Sequence, residues 1–253
     1  MKLANMRAPA LLPLNKPEYG VTLRLDHSLI SDLPVFAGLS SEELDTILAR
    51  AHARHYAKGA TVFSQNESAH SFFLLLHGRL RVTQLTPQGE QIVVRFVSPG
   101  DLFGVAMAIG RDTYPGTAIA VVDSLALLWP STTWPPLMGQ HPMLAGNAMR
   151  MIGGRLQEAH QRLREISTED AERRIAHAVL KLADEAGQKS PAGTLIDFPL
   201  SRQDIAEMTA TTLHTVSRII SAWEAAGIIA GGRQRIAIRD QTRLRAIADG
   251  HET

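Results

Sequence analysis

The stretch LSRQDIAEMTATTLHTVSRIISAWEAAG, residues 200–227, decides how this chain is read. It predicts two short helices separated by a tight turn. Ser201 can cap the first, with Asp204 three residues on in a variant of the capping box. Ile205, Ala206 and Met208 supply its inner side. The turn falls near Thr209 to Thr211, and Thr212 can cap the second helix. On that helix Val216, Ile219, Ile220 and Trp223 fall at i, i+3, i+4 and i+7, one apolar face. The other face carries Leu213, His214, Ser217, Arg218 and Ser221. Such a pair suits a helix-turn-helix whose second helix lies in the major groove of DNA. The plainer alternative is a helical hairpin whose polar face is simply wet.

The segment after the second helix weighs against the plainer reading. Ile228-Ile229 and the run Arg235 to Arg239 flank Gly231-Gly232, which predicts a β-hairpin wing turning at the two glycines. Arg233, Arg235 and Arg239 stud it. Between Leu200 and Arg245 seven arginines stand against four carboxylates, the sign expected for phosphate contact. The whole chain carries only +1, so the attraction is local.

The length of 253 residues favours two modest domains over one. The chain has no cysteine. That excludes structural disulfides and cysteine-ligated iron–sulfur clusters. No apolar run approaches the roughly 20 residues of a membrane helix. The start, MKLANMRAPALLPLNKPEYG, is broken by Pro9, Pro13 and Pro17 and makes a poor secretory signal, so the cytoplasm is expected and no membrane partner.

Taken in order, residues 1–24 read as an N-terminal arm. Ser40 with Glu43 is a capping box opening a helix striped by Leu44, Ile47 and Leu48. Strand texture begins at about Arg54 and runs to Trp129. Short apolar runs at 61–63, 72–76, 80–86, 91–97, 118–122 and 125–129 are punctuated by Gly59, Gly78, Pro87-Gln88-Gly89 and Pro99-Gly100-Asp101. This predicts a β sandwich or barrel, a small roll with a pocket, over 25–137. Residues 138–167 then predict a dimerisation helix. Met149, Ile152, Leu156, Ala159, Leu163 and Ile166 repeat at alternating intervals of three and four, an a/d seam of about two and a half heptads; packing of that face within its own domain is the alternative. Ser167 to Asp170 interrupts the seam as a hinge. A helix with Ile175, Val179 and Leu182 inward and Gly187 near its end opens the last domain, 168–253. The stretch 188–198 reads as a loop.

A β roll, a dimer helix and a winged helix-turn-helix, in that order, resemble the Crp/Fnr family of bacterial transcription regulators. The residues that carry the resemblance are FFLLLHGRLRV (72–82) with PGDLFG (99–104), and SRQDIAEM with TTLHTVSRII. It implies an α+β fold: a cyclic-nucleotide-binding-like β roll (a double-stranded β-helix or jelly roll), a long dimerisation helix and a C-terminal winged helix-turn-helix. It implies a homodimer on a palindromic operator in double-stranded DNA, with RNA polymerase as a partner and a small-molecule or gas effector sensed in the roll around Leu102, Phe103, Val105, Tyr114 and Pro115. No catalytic residue is expected: no phosphate-cradling glycine loop, nucleophile elbow or metal-spaced histidine cluster is present.

Position by position the resemblance says more. Members that bind cyclic AMP place a Glu directly after the Gly-Asp-x-x-Gly-type turn and an Arg-Ser pair about ten residues later. Here Val105 follows Gly104, and Tyr114-Pro115-Gly116-Thr117 stands at the phosphate position without an arginine. An anionic phosphate lacking a cation or aimed donors is poorly held, so cyclic AMP is not expected. Tyr114-Pro115, TTLHTVSR and the absence of cysteine look most like the nitric-oxide-responsive, denitrification-type branch, for which the resemblance implies a haem-type sensor. None of the ten histidines is singled out as an iron ligand by spacing, so no metal ligand is named.

In the reading helix Arg218 matches the family's base-reading Arg, whose fork can take guanine O6 and N7 together. His214 stands where relatives commonly carry a Glu that accepts from cytosine N4. An imidazole offers one donor and one acceptor, so the favoured base there can differ. Ser217 can touch a base edge or methyl group. Arg202, Gln203, Thr212 and Thr215 match phosphate-contacting positions, which set register and not sequence. Ala210 stands where relatives often have Gly; at positive φ an Ala costs roughly 1–2 kcal/mol. Two rival readings remain: a constitutive regulator with a vestigial roll, and a ligand-binding regulator acting on another protein.

Overall fold

A computed structural model describes residues 30–251; the arm expected over 1–24 lies outside them. The first described helix, α1 (Ser41–Leu48), opens on the expected capping box, with the Ser40 side chain taking the Glu43 N–H and Glu43 taking the Ser40 N–H. Eight strands come next: β1 (His52–Tyr56), β2 (Thr61–Phe63), β3 (Ser71–His77), β4 (Leu80–Leu85), β5 (Gln91–Val97), β6 (Leu102–Phe103), β7 (Thr117–Ala120) and β8 (Ser124–Pro130). They form two four-stranded antiparallel sheets, ordered β1-β8-β3-β6 and β2-β7-β4-β5.

Alternation builds two cores from one strand. In β3, Phe73 and Leu75 face the opposite sheet, among Phe63, Leu80, Val97, Phe103, Tyr114 and Ala118. Phe72 and Leu74 face outward, under α1, α2 (Trp134–Gln140) and α3 (Pro142–Thr168). Burial on both faces is why FFLLL reads as an unbroken apolar run and not as an alternation. Gly78 ends it with φ +92°, where a Cβ would lie 2.3 Å from Ser124 Oγ.

The helix α3 is 27 residues long, about 40 Å of rod. One side docks on the roll: Asn147 Nδ2 donates to the Val35 and Ala37 carbonyls (3.0 and 2.8 Å). Arg162 donates to the Val94 carbonyl at 2.6 Å, quieting the open edge that β5 presents at the end of its sheet. The helix does not stop at Ser167 as expected. It continues through Thr168, and the Ser167 and Thr168 hydroxyls bond back to the Leu163 and Arg164 carbonyls. The break is Glu169–Asp170, with Asp170 capping the next helix.

That helix, α4 (Ala171–Ala186), leads into β9 (Gly187–Ser190), β10 (Gly193–Ile196), α5 (Arg202–Met208), α6 (Leu213–Ala225), β11 (Ile229–Gly232), β12 (Arg235–Ile238) and α7 (Gln241–Asp249). The strands make one sheet, β11-β12-β10-β9. Two expectations are corrected here. The stretch 188–198 holds a hairpin and not a plain loop: β9 is an exposed edge, so its polar GQKS gave no hydropathy signal. The wing turns at Arg233-Gln234, with Gln234 at φ +58°, and not at Gly231-Gly232, which lie in β11 opposite Ile236 and Arg235. A Cβ at Gly231 would sit 1.7 Å from Glu224 Oε1, the far end of a flexible side chain that can swing aside.

The turn between α5 and α6 puts Ala210 at φ +50°. Replacing Ala210 by Gly should raise stability by about 0.5–1 kcal/mol, relief of the left-handed strain outweighing the entropy that Gly adds to the unfolded chain. Thermal unfolding checks this; an unchanged or lower midpoint refutes it.

Candidate DNA interface and effector pocket

The reading helix is α6. Its apolar side, Val216, Ile219, Ile220 and Trp223, is buried in the core of the last domain, and Trp223 Nε1 donates to Glu172 on α4 at 2.9 Å. This fixes the opposite side outward. Leu213 (47% exposed), His214, Arg218 and Ser221 are exposed, and Thr215 and Ser217 half-exposed. The side chains of His214, Arg218, Arg233 and Arg235 make no hydrogen bond or ion pair with any described residue. Four unengaged, exposed donor side chains on α6 and the wing suit an anionic partner.

The other expected contacts are partly engaged. Thr212 Oγ1 accepts the Thr215 N–H at 3.1 Å and lies 2.9 Å from the Thr215 hydroxyl, capping α6. Arg202 reaches across to Glu224 (3.4 Å) and Ser221 Oγ (3.4 Å). Gln203 donates to Glu207 at 2.9 Å. These are exposed or half-exposed contacts worth about 0–1 kcal/mol each, so a phosphate can displace them.

Asp204, expected from sequence as a cap, and two arginines that sequence reasoning did not single out hold this unit in place. Asp204, buried, closes the capping box on Ser201 (N at 2.9 Å, Oγ at 2.6 Å) and also accepts Arg81 from β4 of the roll. Arg79, at the start of that same strand, lies buried over the Phe198 ring at 4.8 Å from its centroid, with Asp197 at 3.8 Å and the Ser98 hydroxyl beside it. Burial lowers its affinity for its proton, and Asp197 opposes that. Arg174 on α4 donates to the carbonyls of Glu169 (2.6 Å), Thr209 (2.9 Å) and Ala210 (3.4 Å). It therefore ties the hinge to the helix-turn. No local pattern marks these arginines, because each partner lies in another element.

The structure separates the residues expected around the effector. Phe103 and Tyr114 lie between the sheets, with Phe63 stacked on Tyr114 at 3.9 Å and 6.2 Å from Phe103. The Tyr114 hydroxyl donates to the Ser71 carbonyl at 2.7 Å. Leu102 and Val105 pack instead against the outer cluster under α3. Pro115 is half-exposed and its carbonyl accepts Gln84. Aromatic rings thus occupy the space between the sheets. The apolar cavity bounded by Trp129, Trp134, Met138 and Leu144 measures about 20 Å³, room for a single water. As packed here, neither the space between the sheets nor this cavity offers a slot for a haem macrocycle. Among the described residues, no three His, Asp or Glu side chains gather as a metal site.

The seam residues of α3 stand on its free side: Met149, Leu156 and Leu163 are 69%, 57% and 62% exposed, Ile166 and Ala159 exposed, Ile152 half-buried.

Comparison with known proteins agrees with this division. Residues 53–141 match the cyclic nucleotide-binding domain and residues 173–247 the Crp-like helix-turn-helix domain. The chain is similar to the cyclic AMP receptor protein of Thermus thermophilus: 29% identical over 217 residues, 86% of this chain and 97% of that protein. It is also similar to the nitrogen fixation regulation protein FixK of Bradyrhizobium diazoefficiens: 27% identical over 214 residues, 85% of this chain and 89% of that one. The solved structure of FixK2 from Bradyrhizobium japonicum superposes with a TM-score of 0.68 at 26% identity, covering 78% of this chain and 96% of that one. The fold and the exposed reading helix define a DNA-binding transcription regulator and not an enzyme. With a nucleotide-binding-type roll ahead of a Crp-like reading domain, the chain belongs to the Crp/Fnr family. Among the described residues no helix is long and apolar enough to cross a membrane.

Arg174→Ala should lower stability by about 1.5–3 kcal/mol, the usual worth of hydrogen bonds from a charged donor. It should also weaken duplex binding although Arg174 is not on the reading face. Arg174→Lys, with one donor group in place of the fork, should recover only part of both. Denaturant unfolding and a gel-shift titration measure the two effects; full activity of the alanine variant would remove Arg174 from this role.

Proposed function

We propose that this regulator works as a homodimer that reads a palindromic operator, with its two α6 helices about 34 Å apart, one turn of DNA. The observation that carries the reading is a helix buried on one side and unengaged on the other, in a chain that also exposes a row of large apolar residues on α3. Such a row on a solvated helix wants a partner, and a second copy supplies the same row. In this reading residues 25–137 are the sensor, 138–167 the dimer helix, and 168–253 the reading domain with Arg202, Gln203, Thr212, Leu213, His214, Thr215, Ser217, Arg218, Ser221, Arg233 and Arg235 against DNA. RNA polymerase is the further partner, and the cytoplasm the setting.

The effector in this reading is a small molecule or gas other than a cyclic nucleotide. Val105 and Tyr114 to Thr117 offer no carboxylate for a ribose and no guanidinium for a phosphate. Nitric oxide, the signal of the branch that Tyr114-Pro115 and TTLHTVSR resemble, is the first effector to try. An effector acts only through a preference for one arrangement over the other. The aromatic filling of the roll favours a second reading, a constitutive regulator governed by abundance. Operator affinity measured with and without nitric oxide separates the two.

Arg218→Ala should cost about 1–3 kcal/mol of discrimination at the guanine step while leaving the dimer intact. Unchanged sequence preference in a gel-shift selection would show that α6 does not read. His214→Glu should move the preferred base at its step to cytosine, whose N4 amino group donates to the carboxylate, visible in the selected consensus. Leu156→Lys should dissociate the dimer in sedimentation and lower operator affinity with it; a dimer of wild-type strength places the seam elsewhere.

A further inference from the structure

Asp101 sits in the Pro99-Gly100-Asp101 turn, immediately before β6. Its Oδ2 accepts the Ser98 N–H at 2.9 Å and Arg95 Nη1 at 3.2 Å. Arg95 also donates to the Leu102 carbonyl at 3.0 Å, so the turn and the start of β6 share one guanidinium. The other Asp101 oxygen accepts Arg155 Nη2, from α3. Arg155 Nη1 meets both oxygens of Glu158, at 2.9 and 3.1 Å. Glu158 in turn holds Lys181 Nζ of α4 at 3.0 Å. Burial works against the charge on Arg155, yet Asp101 and Glu158 hold its proton more firmly than usual.

Four charges of alternating sign thus join the roll, the dimer helix and the reading domain. Lys181 lies two turns along α4 from Arg174, the residue that grips the turn between α5 and α6. A helix is stiff over that length, so a tilt imposed at Lys181 reaches the reading unit. The bland account is a set of independent surface bridges, each worth about 0–1 kcal/mol. Against it stand the burial of Asp101 (13% exposed) and its tie through Arg95 to the Leu102 carbonyl. A shift of this turn cannot leave Arg155 undisturbed.

We propose that Asp101, Arg155, Glu158 and Lys181 form the connection by which the turn at 99–105 sets the orientation of the reading domain, with Arg155 as its central positioning residue. In this proposal the arrangement seen here is taken as the DNA-competent one, in which the roll leaves His214, Arg218, Ser221, Arg233 and Arg235 exposed. The proposal builds on the sensor reading of the roll, but its test needs no effector.

The full chain has no native cysteine, so labels can be placed cleanly. Spin labels at Asp112→Cys on the roll and Asp249→Cys on α7, both exposed, report the domain distance when labelled chain is diluted into unlabelled. Asp101→Asn, Arg155→Gln and Lys181→Gln should each broaden that distance and weaken binding to a duplex taken from in vitro selection by about five- to tenfold, within the usual span of coupling between sites. Asp101→Asn with Lys181→Gln should be no worse than the weaker single variant, because both cut the same connection. Effects that multiply in the double variant, or a distance distribution unchanged in all of them, would overturn the proposal. Lys181→Gln changes a 40% exposed side chain and keeps the test decisive if the Asp101 variant does not fold. Failure of the unchanged chain to bind any duplex would instead strike at the reading of α6.

Discussion

Burial of Phe198 against the roll is the constraint on which the arrangement of this molecule depends. Its ring meets Phe96 of β5 at 4.8 Å and lies under the Arg79 guanidinium. Val93 and Phe96 belong to the same apolar cluster as the core of the reading domain. A guanidinium taken out of water is costly unless it is paired and its donors are used. Asp197, Ser98 and the ring face meet that demand for Arg79. The two domains are therefore packed against each other, and not merely strung on a hinge. Docking of α5 on β5, with Asp204 on Arg81 and Glu207 accepting Gln91, follows from that seat.

The helix α3 serves three neighbours with three faces. Leu144, Asn147 and Ala148 bury into the roll. Arg155 and Arg162 reach the turn and the edge strand beside it. Met149, Leu156 and Leu163 remain open. Long polar side chains on a rod of this kind can bridge separate bodies while the apolar stripe is kept for another helix. Regulation by such a device needs only two arrangements of similar free energy, which an effector then weighs.

The reading hairpin was legible down to its caps. Ser201 with Asp204 and Thr212 with Thr215 are local contacts, three residues apart, and the i, i+3, i+4, i+7 stripe of α6 is a local period. Strands buried on both faces, such as β3 and β5, were visible for the same reason. Polar edge strands were not: β1 buries only Tyr56, and β9 is exposed nearly throughout. The helix α2 is masked by Pro135-Pro136, a pair that breaks helices elsewhere but suits the first turn of one. The wing turn was misplaced because Gln234, a residue type that does not advertise a turn, takes the positive φ while the two glycines stay in the strand.

Sequence alone determined the kind of machine: a reading helix with Arg218 outward, an apolar seam along a long helix, and a roll with no arginine in the stretch Tyr114 to Thr117. Periodicity and spacing act over a few residues, and they suffice where neighbours in sequence are neighbours in space. Only the tertiary structure decided that Leu102 and Val105 part company with Phe103 and Tyr114, that Arg79 and Arg81 seat the reading domain, and that Asp101 is joined to Lys181 through α3. The links of Asp101 to Arg155 and of Arg81 to Asp204 span 54 and 123 residues of chain. Which distant charges meet is settled by how whole sheets and helices pack, and no short-range pattern records it.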